Sequence, residues 1–272
     1  MNVSRVLQHR ARVRVTRFAA EHHAKPDLLM RLLMTGASGF IGRHAARHAM
    51  KLGETHLLLR SQASIQAVDE EMRERCVVHT VDLRDSVAVD ECLRSVRPTH
   101  LLHTAWHGGT SDRWTSAANV EWAAATVDMV ARFARYGGER VVVSGSCAEY
   151  DWNAERFVED ETPLAPRSVY GVAKVATHRL LFAAANELGL SVGWGRPFFC
   201  YGPAEPPGRL LHDVITGLLS GRSVALSSGT QVRDYMHTDD VGRALALLLE
   251  SDFHGSMNIG SGEGIGIRDL VL

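Results

Sequence analysis

Residues Met30 to Gly53 read MRLLMTGASGFIGRHAARHAMKLG, and this stretch decides the fold. Leu32, Leu33 and Met34 form a short continuous apolar run that ends in a Gly-rich turn, which reads as a buried strand. Gly36, Gly39 and Gly42 then follow in the spacing G-x-x-G-x-x-G, and FIGRHAARHAMKLG has a helical pattern that stops at Gly53. The first glycine permits a tight turn, the second lets the backbone approach a pyrophosphate, and the third lets the helix lie close on the strand. Free N–H groups and the helix dipole both favour a phosphate at such a helix start. In this strand–turn–helix context the triplet predicts a dinucleotide site built from Gly36, Ser38, Gly39, Phe40, Ile41 and Gly42.

Working outward, THLLLR, CVVHTVDL, THLLHTAW and RVVVSGS repeat the continuous apolar pattern. Strands of this kind are covered on both faces, as in a parallel sheet. Helical patterns such as SVAVDECLRSV and AANVEWAAATVDMVARFARYG lie between them. This alternation predicts an α/β fold, a Rossmann-type doubly wound parallel sheet with right-handed crossovers. After the strand LSVGWGRPF the sequence turns Pro- and Gly-rich (CYGPAEPPGRLL). The expected division is therefore residues 30–198 as the dinucleotide-binding domain and 199–272 as a smaller substrate-facing region.

The 272 residues are 45% hydrophobic, enough to bury a full core, and carry a formal net charge of -1. Without a basic excess, a nucleic-acid or membrane-surface partner is not expected. Cys76, Cys92, Cys147 and Cys200 form no C-x-x-C pair, and the fourteen histidines show no H-E-x-x-H spacing. Neither a disulfide framework nor a metal site is expected, and a reducing, cytoplasmic location fits. No run of 18 apolar residues occurs, so no transmembrane helix is predicted. The first twenty residues carry five arginines and no acid. Residues 1–29 are expected outside the fold, as an over-long start before Met30 or as an organellar transit peptide.

The end of the second strand bears on which dinucleotide is bound. NAD sites place a carboxylate there for the ribose hydroxyls. Here the stretch reads Leu59, Arg60, Ser61, without an acid. A carboxylate would repel a 2′-phosphate, whereas Arg60 and Ser61 could bind one, so NADP(H) is favoured over NAD(H). The alternative leaves Arg60 solvated or stacked on the adenine. Asp82, with Leu83 in VDLRD at the end of the third strand, is placed to accept from the adenine amino group.

Tyr170 and Lys174 stand at i and i+4 in SVYGVAKVATHRLL, on one helix face. With five tyrosines and three lysines in 272 residues, about 0.06 such pairs arise by chance. A free phenol has a pKa near 10 and is a poor acid–base at neutral pH. A close ammonium favours the phenolate, so Lys174 is expected to lower the pKa of Tyr170. Tyr170 could then exchange a proton with a carbonyl oxygen as hydride moves to or from its carbon.

With these motifs in hand, the chain from Met30 onward resembles the extended short-chain dehydrogenase/reductase group, the sugar-nucleotide epimerases, dehydratases and ketoreductases. The resemblance rests on TGASGFIG, VDLRD, LLHTAW, Asn119, SGSCAEY, YGVAK, GRPFFCYGP, VRDYMHTDDVGRA and MNIGSG. It implies that Ser146, four residues before Tyr150, hydrogen-bonds the reacting oxygen, with Tyr170 as the acid–base. Lys174 would tune Tyr170 and hold the nicotinamide ribose. Thr104, Ala105, Trp106, Asn119, Ser144 and Pro197 would complete the cofactor site. Trp106, His107, Ser146, Cys147, Phe199, Arg209 and Arg233 would face the substrate, with Arg233 pairing the nucleotide diphosphate or else a neighbouring Asp234 or Asp239.

Departures from the family pattern narrow the reaction. Dehydratases carry an Asp-Glu pair after the catalytic Thr, where this chain has Cys147 and Ala148, with Glu149 one place too late. Water elimination then lacks its acid and base. Phe199 stands where many epimerases have a substrate-contacting Asn. The expectation is reduction of a nucleoside-diphosphate 4-keto-deoxyhexose, with a C4 epimerase as the alternative and a non-catalytic NADP-sensing regulator as a distant third. The resemblance also implies a homodimer through the helices carrying Asn119 and Tyr170. The chain stops at IRDLVL as an apolar helical pattern begins, so the substrate-binding region is expected to be incomplete relative to the family.

Overall fold

A computed structural model describes residues 30–108 and 112–272. The leader assigned to residues 1–29 lies outside the described residues. In chain order the first half comprises β1 (Arg31–Thr35), α1 (Gly42–Ala49), β2 (Glu54–Leu59), α2 (Gln62–Gln66), α3 (Glu70–Arg75) and β3 (Val77–Thr80). Then come α4 (Ser86–Val96), β4 (His100–His103), α5 (Ala118–Arg135), β5 (Arg140–Ser144), a single 3-10 turn at Cys147–Glu149, and α6 (Val169–Leu188). The remainder is β6 (Ser191–Pro197), β7 (Phe199–Tyr201), α7 (Leu210–Leu219), β8 (Val232–His237), α8 (Thr238–Glu250), β9 (Gly255–Ile259), β10 (Gly264–Gly266) and α9 (Ile267–Val271).

Seven strands pair in parallel in the order β3-β2-β1-β4-β5-β6-β9, the doubly wound sheet expected from the sequence. The continuous apolar runs are explained by burial on both faces. Leu32 and Met34 point into a core shared with Ala45 of α1 and with Val241 and Leu245 of α8. Leu33 and Leu101 point the other way, toward Leu93 of α4, Met129 of α5 and Leu181 of α6. Local chemistry sets the helix ends. Asp85 caps α4 by accepting from the N–H groups of Val87 and Ala88, each at 3.1 Å. Ser168 caps α6 by accepting from Gly171 N–H, and Gly189 closes that helix in the left-handed conformation.

Sequence beyond residue 199 divides between two sheets. β7, β8 and β10 make a small separate sheet, whereas α8 packs on α1 and β9 returns to the edge of the large one. The expected boundary at residue 199 is therefore one the chain crosses back over, because β9 must cover the β6 edge. Among the described residues no helix is long and apolar enough to cross a membrane.

Candidate active site

The carboxyl ends of β1, β4, β5 and β6 open into a cleft of about 790 Å³. At one end lies the phosphate loop. Gly36 has φ +78°, and a Cβ there would sit 2.5 Å from Ala105 N; a Cβ on Gly42 would collide with the Gly36 carbonyl. Only glycine permits this approach, so the first turn of α1 is drawn onto the end of β1. The N–H groups of Phe40, Ile41 and Gly42 make no hydrogen bond to any described residue, although Gly39 N–H closes the turn on Gly36 O at 2.9 Å. A cradle of free donors fits the pyrophosphate of a dinucleotide. Thr104 lines the same end, its hydroxyl donating to Thr35 O at 2.7 Å, while Ala105 packs behind Gly36.

The reacting end is formed where β5 runs out into Ser144-Gly145-Ser146. Ser146 is the N-cap of the 3-10 turn: its Oγ accepts from Ala148 N–H at 3.1 Å. Its own N–H donates to Glu149 Oε1 at 2.8 Å. Glu149 is fully buried, with its carboxylate turned away from the cleft into the core. There it accepts from Trp194 Nε1 at 3.0 and 3.1 Å and pairs with Arg196 Nε at 2.7 Å. Arg196 also donates to Tyr150 OH at 3.2 Å, and that hydroxyl donates to Asn258 Oδ1 at 2.7 Å. Cys147 and Ala148 face the cleft instead, with burial pushing the Cys147 thiol far up.

Tyr170 enters from the first turn of α6. Its N–H donates to Trp114 O at 3.3 Å, and its ring stands edge-on to Trp114 and Trp106 at 5.4 and 6.4 Å between centroids. Ser146, Tyr170 and Lys174 line one cleft, in which Lys174 lies closer to the Trp106 ring than to that of Tyr170. Its ammonium donates to Ser144 O at 2.8 Å and lies 3.6 Å from the Trp106 ring centroid, against 5.9 Å from that of Tyr170. Burial pushes the Tyr170 hydroxyl up to about 12, opposed by the Ser146 hydroxyl and the Arg113 guanidinium. Burial likewise holds Lys174 below the ordinary lysine range. Trp106 is fixed in place by donating from Nε1 to Asn119 Oδ1 at 2.9 Å, and Asn119 is fully buried.

Among the described residues five arginines line the cleft (Arg43, Arg113, Arg167, Arg209 and Arg233), and no carboxylate does. Arg209 pairs with Glu205 at 2.9 Å, donates to Cys200 O at 3.2 Å and stacks over Phe40. Arg233 pairs with neither Asp234 nor Asp239. Asp234 accepts from Ser261 and Gly262, and Asp239 is engaged by His48, which leaves Arg233 stacked over Trp152 and Phe199 at 4.8 and 5.5 Å. His107 lines the cleft and contacts Asp112 at 3.1 Å; Ser38, Pro197 and Ser144 line it as well. Sequence reasoning missed Arg113, Trp114, Trp152 and Arg167, which sit on irregular loops where no periodicity marks them.

Arg60, Ser61, Asp82 and Leu83 do not line the cleft. Arg60 is exposed past the end of β2, Ser61 caps α2 by accepting from Ser64 N–H, and Leu83 is buried. Asp82 is held by Arg84 through bonds of 2.8 and 3.1 Å. Those bonds, with a further one from Arg84 N–H, bring its carboxyl down to about 2.

Comparison with known proteins agrees with this fold. Rice (Oryza sativa subsp. indica) GDP-mannose 3,5-epimerase 1 is 26% identical over 266 residues, covering 90% of this chain and 68% of the relative. Among solved structures, the Thermus thermophilus UDP-glucose 4-epimerase in complex with NAD is 26% identical with a TM-score of 0.78, covering 89% of this chain and 81% of that one. MoeE5 in complex with UDP-glucose and NAD is 30% identical with a TM-score of 0.74, covering 88% and 79%. The model of the NAD dependent epimerase/dehydratase family matches residues 32–260, and the chain belongs to that family.

Proposed function

We propose that the chain is an oxidoreductase that moves a hydride between a nicotinamide dinucleotide and C4 of a nucleoside-diphosphate sugar. The observation that carries this reading is one cleft lined by the phosphate loop at one end and by Ser146, Tyr170 and Lys174 at the other. The loop from Gly36 to Gly42 would hold the pyrophosphate, Lys174 and Ser144 the nicotinamide riboside, and Arg60 and Ser61 the adenosine ribose. When bound, the dinucleotide supplies or accepts the hydride. Tyr170 exchanges the proton at the substrate oxygen, Ser146 hydrogen-bonds that oxygen, and the aromatic walls of Trp106 and Trp114 keep water away. Arg233, with no carboxylate partner among the described residues, receives the nucleotide diphosphate.

Two features support reduction of a 4-keto sugar with NADPH. The strand end at Arg60 lacks the acid that selects NAD, and a phenol held protonated by burial is poised to give a proton to a ketone oxygen. Epimerisation at C4 is the second reading, favoured by the likeness to a UDP-glucose 4-epimerase. Elimination of water is disfavoured by the site, since Cys147 and Ala148 supply no carboxyl group and Glu149 is committed to the core. A cytoplasmic homodimer belongs to the same proposal, with Val120 of α5 and Val172 and Leu180 of α6 as exposed apolar residues for the contact.

The test is a fluorescence titration of the purified chain with NADPH and with NADH, followed by turnover of 4-keto sugar nucleotides. NADPH should bind at least about tenfold more tightly, a difference of ~1.4 kcal/mol that disappears in Arg60→Ala. Tyr170→Phe should lower turnover by about 10²–10⁴-fold while dinucleotide binding persists. Tighter NADH binding, or interconversion of two 4-hydroxy sugars without net dinucleotide consumption, would establish the epimerase instead. A nucleotide-dependent partner interaction that survives Tyr170→Phe, with no turnover by the parent chain, would mark a regulator.

A further inference from the structure

Arg113 is a cation at the reacting end of the cleft that none of the assigned roles uses. It lies on the connection from β4 to α5, where its carbonyl accepts from Asn119 Nδ2 at 2.8 Å, which fixes the backbone. Its guanidinium makes no hydrogen bond or ion pair with any described residue, and its Nε is buried without a partner. Among the described residues it stacks over Trp114, 4.7 Å from the ring centroid. Trp114 in turn stands edge-on to Tyr170 and accepts from its N–H, so Arg113, Trp114 and Tyr170 form one row of contacts on the cleft wall. The other cleft arginines are accounted for. Arg209 is paired with Glu205, Arg167 donates to Asn153 Oδ1, Arg43 donates to the phosphate-loop carbonyls of Ser38 and Gly39, and Arg233 is assigned to the diphosphate.

A guanidinium that is partly dehydrated and unpaired is costly unless an anion completes it. Its planar fork of donors matches a carboxylate with two parallel hydrogen bonds. Resting on the C4-epimerase reading above, in which the ketone forms only within the cleft, we propose that the substrate sugar carries a carboxylate beside the reacting carbon, as in a hexuronic acid, and that Arg113 binds it. A 6-deoxy sugar, the expectation from the sequence, would set a methyl group against that unpaired cation.

The test is a calorimetric titration of the dinucleotide-loaded full chain with two matched pairs, UDP-glucose against UDP-glucuronic acid and GDP-mannose against GDP-mannuronic acid. In the pair whose nucleotide is accepted, the acidic sugar should bind at least tenfold more tightly. The advantage should shrink with added salt, vanish in Arg113→Met and return in part in Arg113→Lys. Equal or tighter binding of the neutral sugar, or a preference that persists in Arg113→Met, overturns the proposal and leaves the sugar-nucleotide reading standing. Failure of all four to bind while the dinucleotide still does overturns the proposal.

Discussion

Replacing Glu149 by alanine tests whether the reacting serine is positioned from the core. Glu149 and Arg196 are both essentially unexposed, and the carboxylate accepts from Arg196 Nε, Trp194 Nε1 and Ser146 N–H. Removing one member of a buried ion pair costs about 3–5 kcal/mol, because the other charge stays buried without compensation. Each neutral donor left without an acceptor adds about 1–3 kcal/mol. These costs overlap, since water entering the vacated space can serve several donors, so a total of roughly 4–6 kcal/mol is expected. That is a large part of the ~5–15 kcal/mol that holds a typical domain folded. At about 2–4 °C per kcal/mol for a chain of this size, Tm should fall by roughly 10–20 °C. Urea unfolding followed by far-UV circular dichroism measures it: the midpoint should drop with little change in slope. Glu149→Gln should lose less, since its amide oxygen still serves Ser146 and Trp194. Pairing Glu149→Ala with Arg196→Met should recover part of the loss by removing the stranded charge. A Glu149→Ala chain within about 1 kcal/mol of the parent, or a double variant less stable than the single, would refute this account.

Two further outcomes follow from the geometry. Gly42→Ala should weaken NADPH binding by at least about tenfold and cost about 1–3 kcal/mol of stability, because the new methyl meets the Gly36 carbonyl and must push α1 off β1; an unchanged Kd would remove the close approach from the explanation of the loop. Burial lowers the pKa of five histidines, His44, His79, His100, His103 and His178, the last two to about 3 and about 4. Groups of this kind bind protons more readily unfolded, so their contribution is complete above pH ~6.5 and is lost as pH falls toward the folded values, by about 1.4 kcal/mol per unit for each fully titrating group. Urea midpoints should therefore decline between pH 6.5 and 4, and His103→Gln, which can still bridge Thr35 and Thr126, should flatten the decline; an equally steep slope in that variant would exclude His103 as a contributor.

The sheet was legible because its strands are buried on both faces, which forces continuous apolar runs at Leu32–Met34, Leu101–Leu102 and Val141–Val143. The phosphate loop was legible because close backbone approach leaves glycine no substitute at Gly36 and Gly42. Helical spacing put Tyr170 and Lys174 on one wall. What helical spacing does not carry is where a long side chain turns. Lys174 reaches the Ser144 carbonyl and the face of Trp106, a choice set by the end of β5 and by an indole oriented from Asn119, both distant in sequence. Glu149 was judged only by its offset from the dehydratase position. Its role depends on Trp194 and Arg196, some 45 residues further along and reached only when β6 pairs beside β5. Arg113 gave no signal at all, because an arginine in a loop is distinguished only by what it fails to contact.

The chemistry of the cleft follows from the way its charges are divided. Where a cation near the site has a carboxylate partner, that carboxylate lies outside the lining: Glu205 for Arg209, Asp82 for Arg84, Glu149 for Arg196. Arg233 and Arg113 stack on aromatic faces instead, which orients a guanidinium without neutralising it. A carboxylate in the lining would satisfy these arginines and repel the phosphates together. Its absence keeps the full attraction for ligand anions, and the aromatic rings supply the orientation that an ion pair would otherwise give. Tyr170 lies in the same field, yet burial still holds its phenol protonated. An anion bound at Arg113 would offset a cation that otherwise pulls this phenol toward ionisation.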